Sequence, residues 1–324
     1  MRPIAVLAIG GNSLARANER GTFEEQQNHA QETCRGIAAI LRQGYRVVLT
    51  HGNGPQVGEA LLRSELARDV LPTQHLDVCD AETEGAIGYL LQQTLDNTLH
   101  ESGIPQKVVS IITQVIVDEK DPAFQKPDKP IGPFYRKEEA AQRQERLGWK
   151  MVEDSGRGWR RVVASPHPQR IHELDAIRAC LGAGFVVIAA GGGGIPVVRR
   201  AGQLHGSEAV IDKDRCSALL ATDLHAELLV FSTGVTHVFL HYGKDNEKPL
   251  FRLSWEEAWT YLKQGEFAAG SMGPKVEAAL RFLEAGGKRA IITAPEFMAA
   301  AARGSAGTEI LPPIVVEKER VEVG

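Results

Sequence analysis

The stretch "GFVVIAAGGGG" (residues 184–194) places a short, unbroken apolar run directly before four consecutive glycines. An unbroken run rich in β-branched residues is typical of a strand that is buried on both faces of a parallel sheet. Glycine at the carboxyl end of such a strand lets backbone N–H groups approach a ligand closely. The stretch therefore predicts a covered strand that ends at a binding edge.

Similar apolar runs recur along the chain, and helical patterns such as residues 23–44 and 271–287 lie between several of them. Alternating strands and helices predict an α/β protein, a three-layer α/β/α sandwich around a mostly parallel, open sheet. The predicted strands are "PIAVLAI" (3–9), "YRVVLT" (45–50), "KVVSIITQVIVD" (107–118), "GFVVIAA" (184–190), "AELLVFST" (226–233) and "KRAIITA" (288–294).

Residues 119–168 do not fit this alternation. Four prolines in 119–135 exclude a central strand, and half of the positions in 136–161 carry a charge. We expect a single domain over residues 1–324, interrupted at 119–168 by a small, protruding, lid-like subdomain. The charged tail 312–324 is either a loose end or a final edge strand.

Composition excludes several classes of protein. With 324 residues, 43% hydrophobic and 24% charged, the chain is an ordinary globular protein, and its net charge of −4 argues against a nucleic-acid or membrane partner. Four scattered cysteines without a CxxC pair fit a reducing compartment. No apolar run approaches the roughly 20 residues of a membrane span, so we expect a cytoplasmic protein.

Three predicted strands run into glycine-rich loops: "GGN" (10–12), "HGNGPQVG" (51–58) and "GGGG" (191–194). One such loop is a weak signal, because strand–helix turns use glycine for packing alone. Three loops after separate parallel strands share one edge of the sheet, where α/β proteins bind ligands. The motifs of Walker-type nucleotide-binding proteins, dinucleotide-binding proteins, serine hydrolases and zincins are absent. His237 and His241 lie in a strand-like run, which favours exposed face residues over metal ligands.

Three lysines stand beside glycine, proline or aspartate: Lys129 in "DKPIGPFY", Lys213 in "IDKD" and Lys275 in "GSMGPK". Surface lysines are common, so one such lysine by itself does not indicate a catalytic site. Phosphoryl transfer, however, requires cations around the β- and γ-phosphates and a metal ion more than it requires covalent chemistry. Asp214 could hold the three ammonium groups by charge-assisted hydrogen bonds.

The longer motifs carry a family resemblance. In order, they are "HGNGPQVG" (51–58), "GAIGY" (85–89), "TQVIVDEKDPAFQKPDKPIGPFY" (113–135), "EDSGRGWRRVVASPHP" (153–168), "GGGGIPV" (191–197), "AVIDKD" (209–214) and "GSMGPKVEAA" (270–279). Together they resemble carbamate kinase, within the wider amino-acid kinase fold, over about residues 4–310. The resemblance implies a sheet of about eight strands, a homodimer, and the reversible reaction of ATP and carbamate to ADP and carbamoyl phosphate with Mg²⁺.

The resemblance also implies roles for individual residues. Lys129, Lys213 and Lys275 would act on the phosphates, and Asp214 would organise them. The expected substrate- and phosphate-binding residues are Gly10, Gly11, Asn12, Gly52, Asn53, Gly54, Gly191 and Gly192. The expected nucleotide-binding residues are Asp212, Thr233, Gly234, Val235, Met272 and Pro274. Mg²⁺ would bind through the nucleotide phosphates, without a ligand from the protein.

Two departures from the family pattern leave alternatives open. Thr236 stands where an acid is usual, and Glu84 stands where glutamine is common, so an added carboxylate would weaken anion binding by Coulomb repulsion. The motifs hold no well-placed general base, and carbamate, already an anion, needs none. We expect an enzyme that works mainly to make ATP from carbamoyl phosphate. The alternatives are another acyl-phosphate-forming kinase of this fold, or a catalytically silent homologue that binds nucleotide or a metabolite and regulates a partner.

Overall fold

The computed structural model describes residues 2–11, 22–154, 158–268 and 270–314. The predicted site residue Asn12 and residues 315–324 of the charged tail lie outside the described residues. The last described strand ends at Ile310, and residues 312–314 belong to no strand.

The strands, in chain order, are β1 (Ile4–Ile9), β2 (Arg46–His51), β3 (Val108–Ile111), β4 (Gln114–Val117), β5 (Lys129–Tyr135), β6 (Met151–Glu153), β7 (Trp159–Val163), β8 (Pro168–Ile171), β9 (Val186–Ala189), β10 (Ile195–Arg200), β11 (Gln203–Gly206), β12 (Leu228–Ser232), β13 (Val238–Leu240), β14 (Lys248–Leu250), β15 (Arg252–Leu253), β16 (Arg289–Thr293) and β17 (Thr308–Ile310). The helices are α1 (Phe23–Arg42), α2 (Gly54–Leu66), α3 (Leu76–Glu101), α4 (Lys137–Leu147), α5 (Leu174–Gly182), α6 (Lys213–Asp223), α7 (Trp255–Lys263), α8 (Met272–Glu284) and α9 (Met298–Ala302).

An eight-stranded sheet forms the centre of the molecule, in the order β15-β17-β16-β12-β1-β2-β9-β3. All neighbouring strands pair in parallel except β16 and β17. The predicted fold class, with about eight mostly parallel strands, is confirmed. The chain passes from β1 to β2 on one side and returns to β12 on the other, which creates a switch point at the carboxyl ends of these strands.

Alternate residues of β1 enter two separate hydrophobic cores. Val6 and Ala8 pack with residues of α5, α6 and α8, whereas Ala5, Leu7 and Ile9 pack with residues of α1, α3 and α9. All five side chains are fully buried. Burial on both faces explains why the strand sequences are continuously apolar, and it confirms the three-layer arrangement.

The predicted single strand at 107–118 was wrong, because the structure divides it into two strands in different sheets. β3 is the edge of the main sheet, while β4 lies in a four-stranded sheet of order β11-β10-β4-β8. The chain turns at Thr113, whose hydroxyl donates to the carbonyl of Ile111 (2.7 Å) and accepts from the N–H of Ala190 (2.9 Å). These hydrogen bonds replace the strand pairing that a straight continuation would have made.

Residues 119–168 contain α4 and a three-stranded sheet of order β5-β7-β6. β5, which carries Pro130 and Pro133, is an edge strand, as the prolines required. Tyr135, Ala140, Trp149 and Met151 form a small core of their own. That this segment is a protruding, lid-like subdomain stays a prediction. Across the described parts of the chain, every helix is too short or too polar to cross a membrane.

Candidate active site

Three glycine loops meet at the carboxyl edge of the main sheet. Gly52, which follows β2, donates its N–H to the carbonyl of Ile9 at the end of β1 (3.0 Å). A Cβ placed on Gly52 would lie 3.2 Å from the nitrogen of Gly11 and 3.4 Å from the side-chain carbons of Lys213. The third loop follows β9 and lies against the second. We call Gly10, Gly11, Gly52 and Gly191–Gly194 the glycine cradle.

The third loop of the cradle has no room for any side chain. Gly192 has a φ of +71°, and a Cβ there would lie 2.3 Å from Nδ2 of Asn53. Asn53, the residue after Gly52, is 2% exposed. The structure thus brings the predicted residues Gly52, Asn53 and Gly192 into contact, and Gly54 begins α2 next to them.

Glu84 lies behind the cradle and holds this loop in place. Its two carboxyl oxygens accept the N–H groups of Gly191 (2.9 Å) and Thr113 (3.1 Å). Burial raises the pKa of Glu84 to about 8, in spite of these hydrogen bonds, so the carboxyl is largely neutral at pH 7. The sequence predicted a repulsive charge at this position, but the structure shows a buried acceptor for two backbone N–H groups.

A second buried residue beneath the loop is His51, the last residue of β2. Its side chain is fully buried, and a Cβ on Gly191 would lie 2.2 Å from its Nε2 atom. Burial lowers the pKa of His51 to about 4. The imidazole is therefore neutral at physiological pH, and its contact with Gly191 supports the loop from below.

Two of the predicted lysines are joined by Asp214. The Lys213 ammonium bonds one carboxylate oxygen of Asp214, and Nζ of Lys275 donates to the other at 3.1 Å. Nζ of Lys275 also donates to the carbonyl of Ser271 (3.2 Å). The side chains of Lys213, Asp214 and Lys275 are 10%, 5% and 11% exposed, so both cations are held at a nearly buried site.

The third lysine is held by a different acid. The Lys129 ammonium bonds Oδ2 of Asp212, while Oδ1 of Asp212 accepts the N–H groups of Asp214 (3.0 Å) and Arg215 (3.3 Å) at the start of α6. The expectation that Asp214 holds all three ammonium groups is corrected here, since Asp212 holds Lys129. Sequence reasoning missed this role, although the pattern Asp-Lys-Asp contained the signal.

Charge pairing sets the ionisation of the two acids. Burial favours the neutral carboxyl of Asp214, but Lys213 and Lys275 hold its pKa below the ordinary value. Burial likewise opposes ionisation of Asp212, and Lys129 keeps its pKa well below the ordinary range. Burial lowers the pKa of Lys213, which Asp214 opposes. The arrangement therefore holds fixed positive charge next to backbone N–H groups, as an anion site requires.

Five of the six predicted nucleotide-binding residues lie in the loop after β12 and in α8. Thr233, Gly234 and Val235 follow β12, and the N–H of Thr233 donates to the carbonyl of Thr293 at the end of β16 (2.9 Å). Met272 and Pro274 lie in the first turn of α8, which also carries Lys275. Their nucleotide contacts stay a prediction. So does that of Asp212, both of whose carboxylate oxygens have protein partners.

The two aspartates of the site are paired with lysines, and this pairing affects their ability to bind a metal ion. Every carboxylate oxygen of Asp212 and Asp214 accepts a hydrogen bond, and the ammonium groups that these acids hold would repel a cation bound at the same oxygens. His237 packs its ring on Phe251, and His241 pairs with Glu266 (3.1 Å). These contacts account for the two histidines without a metal.

A second group of possible ligand atoms lies at the start of α3 and in the segment after β11. His75, Asp77 and Glu208 each place one such atom within 4.8 Å of the others. His75 and Glu208 are exposed, and exposed acidic groups of this kind are common without an ion.

Comparisons with known proteins extend over nearly the whole chain. A model of the amino acid kinase family matches residues 3–294. The carbamate kinase of Pyrococcus horikoshii is 47% identical over 309 residues, 95% of this chain and 98% of that protein. The carbamate kinase-like protein YahI of Escherichia coli is 48% identical over 315 residues, 96% of this chain and 99% of that protein. A structure of carbamate kinase from Giardia lamblia bound to AMP-PNP superposes with a TM-score of 0.88 at 40% identity, covering 96% of this chain and 99% of that one.

Proposed function

The chain belongs to the amino acid kinase family, and from that premise we propose that it transfers a phosphoryl group between ATP and carbamate, forming ADP and carbamoyl phosphate. The observation that carries the proposal is the set of three lysines, paired with two aspartates, at a glycine cradle. Relatives that match nearly the whole chain are named carbamate kinases. The chain is a phosphotransferase, and carbamate is the acceptor that we assign to it.

The main barrier to this reaction is the repulsion between two anions. Lys213 and Lys275 are held by a nearly buried carboxylate, so their ammonium groups are in place before the substrates arrive. Such preorganised charge can stabilise the negative charge that develops during transfer, because no solvent has to reorganise around it. The N-terminus of α6, which begins at Lys213 beside Gly52, adds a partial positive charge.

No side chain has to remove a proton from the nucleophile. An oxygen of carbamate is already ionised and attacks the γ-phosphate directly. Mg²⁺ would neutralise charge on the β- and γ-phosphates and be bound by the phosphate oxygens, because the lysines paired with Asp212 and Asp214 would repel a cation at these acids. The protein residues then have three tasks: they bind the phosphates, orient carbamate, and exclude water.

We further propose that the enzyme works mainly towards ATP, in the cytoplasm and as a homodimer. Two exposed apolar side chains support the homodimer: Tyr89 of α3 is 56% exposed, and Ile112, whose Cδ1 would lie 3.8 Å from a Cβ on Gly85 of the same helix, is 48% exposed. Subunit interfaces commonly cover patches of this kind. Sedimentation equilibrium with the wild type and Tyr89→Glu tests the assembly, and a monomeric wild type would exclude it.

The decisive experiment measures ATP formation from ADP, Mg²⁺ and carbamoyl phosphate. We expect turnover by the wild type, a loss of at least about 10²-fold in Lys213→Ala, and wild-type turnover in the control Lys288→Ala, which removes an exposed ion pair with Glu227. No turnover by folded wild type would overturn the proposal. Nucleotide binding without transfer would indicate a silent homologue. A larger acid that outcompetes carbamate would indicate another acyl-phosphate-forming kinase.

A further inference from the structure

The side chain of Asn53 lies at the cradle in one fixed environment. It follows β2 and precedes α2, and its amide packs flat on Gly192, where a Cβ would lie 2.3 Å from Nδ2 and 2.8 Å from Oδ1. The amide nitrogen donates to Oδ1 of Asp80 (2.9 Å) and to Oγ1 of Thr83 (3.0 Å) on α3. Both α3 side chains are buried, at 2% and 6% exposure.

The chemistry of these two partners determines which way the amide faces. The hydroxyl of Thr83 directs its hydrogen to the backbone carbonyls of Cys79 and Asp80, both at 3.0 Å, so its oxygen is left as an acceptor. Oδ1 of Asp80 accepts from the amide nitrogen of Asn53, and burial raises the pKa of this carboxyl well above its ordinary value. The reverse orientation would place the carbonyl of Asn53 against the oxygen of Thr83, whose hydrogen is already used on the backbone carbonyls. The NH₂ group therefore faces α3, and both of its hydrogens are used there.

The carbonyl oxygen of the Asn53 amide, Oδ1, is then free to accept a hydrogen bond. No residue in the described ranges donates to Oδ1 of Asn53, and this oxygen is not among the buried atoms that lack a partner, so it is not sealed off. It is the corner of the amide that does not face α3, and, like the nitrogen, it lies against Gly192 of the cradle. A carbonyl oxygen at an anion site repels carboxylate and phosphate oxygens, and it attracts an N–H donor.

We propose that Asp80 and Thr83 are positioning residues, which lock Asn53 so that its carbonyl accepts an N–H of the carbamoyl group. This inference rests on the proposed function. The lock orients the substrate, with its amine towards Asn53 and its oxygens towards the lysines. It also selects against an acyl group that has a methyl in place of the amine, because the Asn53 carbonyl is then left unpaired.

The experiment compares two phosphoryl donors, carbamoyl phosphate and acetyl phosphate, by kcat/KM for ATP formation. The double variant Asp80→Ala/Thr83→Val removes both acceptors and lets the amide rotate. We expect the preference for carbamoyl phosphate to fall about tenfold, the value of one neutral hydrogen bond. The loss should lie in kcat/KM for carbamoyl phosphate, while that for acetyl phosphate stays nearly constant.

Two matched variants separate positioning from structure. Thr83→Ser keeps the acceptor and should retain the wild-type preference. Thr94→Val removes another buried hydroxyl of α3, which bonds the carbonyl of Leu90 (2.7 Å), and should retain it too. If the double variant does not fold, the single variant Asp80→Ala still removes one acceptor and should lower the preference by severalfold.

An unchanged preference in the folded variants would overturn the inference while leaving the proposed function intact. A parallel loss with both donors would overturn it as well, since it would show a structural role alone. A wild type that forms no ATP from carbamoyl phosphate would overturn the proposed function itself, and the inference with it.

Discussion

Replacing Gly58 with alanine should remove most of the activity while the main sheet stays folded. Gly58 is buried on α2 and faces Gly132 of β5. An added Cβ would lie 2.1 Å from the nitrogen of Gly132, 2.2 Å from its Cα, and 2.8 Å from the carbonyl carbon of Ile131. All three atoms belong to the backbone, so no change of rotamer relieves the overlap.

The size of the effect follows from this distance. Ordinary contact begins at 3.4 Å, so β5 and α2 must separate by about 1.3 Å at this point. Lys129 begins β5 and is paired with Asp212, so its ammonium moves with the strand. A misplacement of about 1 Å can cost roughly 10²-fold in rate, which is the loss of kcat that we expect. Overpacking should cost about 1–3 kcal/mol of stability.

The assay is ATP formation from carbamoyl phosphate, together with thermal unfolding followed by circular dichroism. Gly182→Ala is the matched control, because it also lies in a helix and an added Cβ would meet nothing within 4 Å. The control should have wild-type kcat and equal or slightly higher stability. Wild-type kcat in Gly58→Ala would refute the reasoning, since it would show that the position of β5 does not govern the position of Lys129 during catalysis.

Other substitutions test the remaining parts of the site. Asp212→Asn keeps an oxygen to cap α6 but removes the charge that holds Lys129, so kcat for ATP formation should fall about tenfold or more, and the melting temperature should fall because Lys129 loses its counter-ion; an unchanged kcat would contradict the pairing. Glu84 has its pKa raised to about 8, so the stability it contributes should fall as pH rises from its ordinary pKa of 4.5 towards 8. In urea unfolding between pH 5 and pH 8, the difference in unfolding free energy between the wild type and Glu84→Gln should shrink by about 1.4 kcal/mol per pH unit; a difference independent of pH would be evidence against a buried, protonated carboxyl. Gly192→Ala would place a Cβ 2.3 Å from Nδ2 of Asn53 at a φ of +71°, and steady-state kinetics should show a loss of at least about 10²-fold, with near-normal turnover as the contrary result.

The main sheet could be predicted because each of its predicted strands is marked by a short apolar run in the sequence. The run at 3–9 is continuously apolar, the run at 45–50 has an apolar centre (residues 47–49), and the structure covers both faces of each. The break at Thr113 could not be predicted from its neighbours, because the apolar run continues through it. It depends on Glu84, 29 residues earlier, which accepts the N–H of Thr113. Contacts at that separation leave no local pattern.

The same limit applied to the site. The convergence of Lys129, Lys213 and Lys275 was visible as three unusual local settings. The sequence did not show which acid pairs with Lys129, because Asp212 and Asp214 both flank Lys213. Only the start of α6 distinguishes them: Asp212 is the N-cap, and Asp214 lies in the first turn, facing Lys213 and Lys275. That difference exists in three dimensions alone.

The pair between Lys129 and Asp212 joins segments that are 83 residues apart. The segment that forms the three-stranded sheet therefore cannot be exchanged freely between related proteins. A segment grafted from a relative would function only if it presented a lysine to the acid that also starts α6, and losing either partner would strand a nearly buried charge. Positions 129 and 212 should therefore covary among related sequences. Natural variants in which only one of the two residues has changed should be rare.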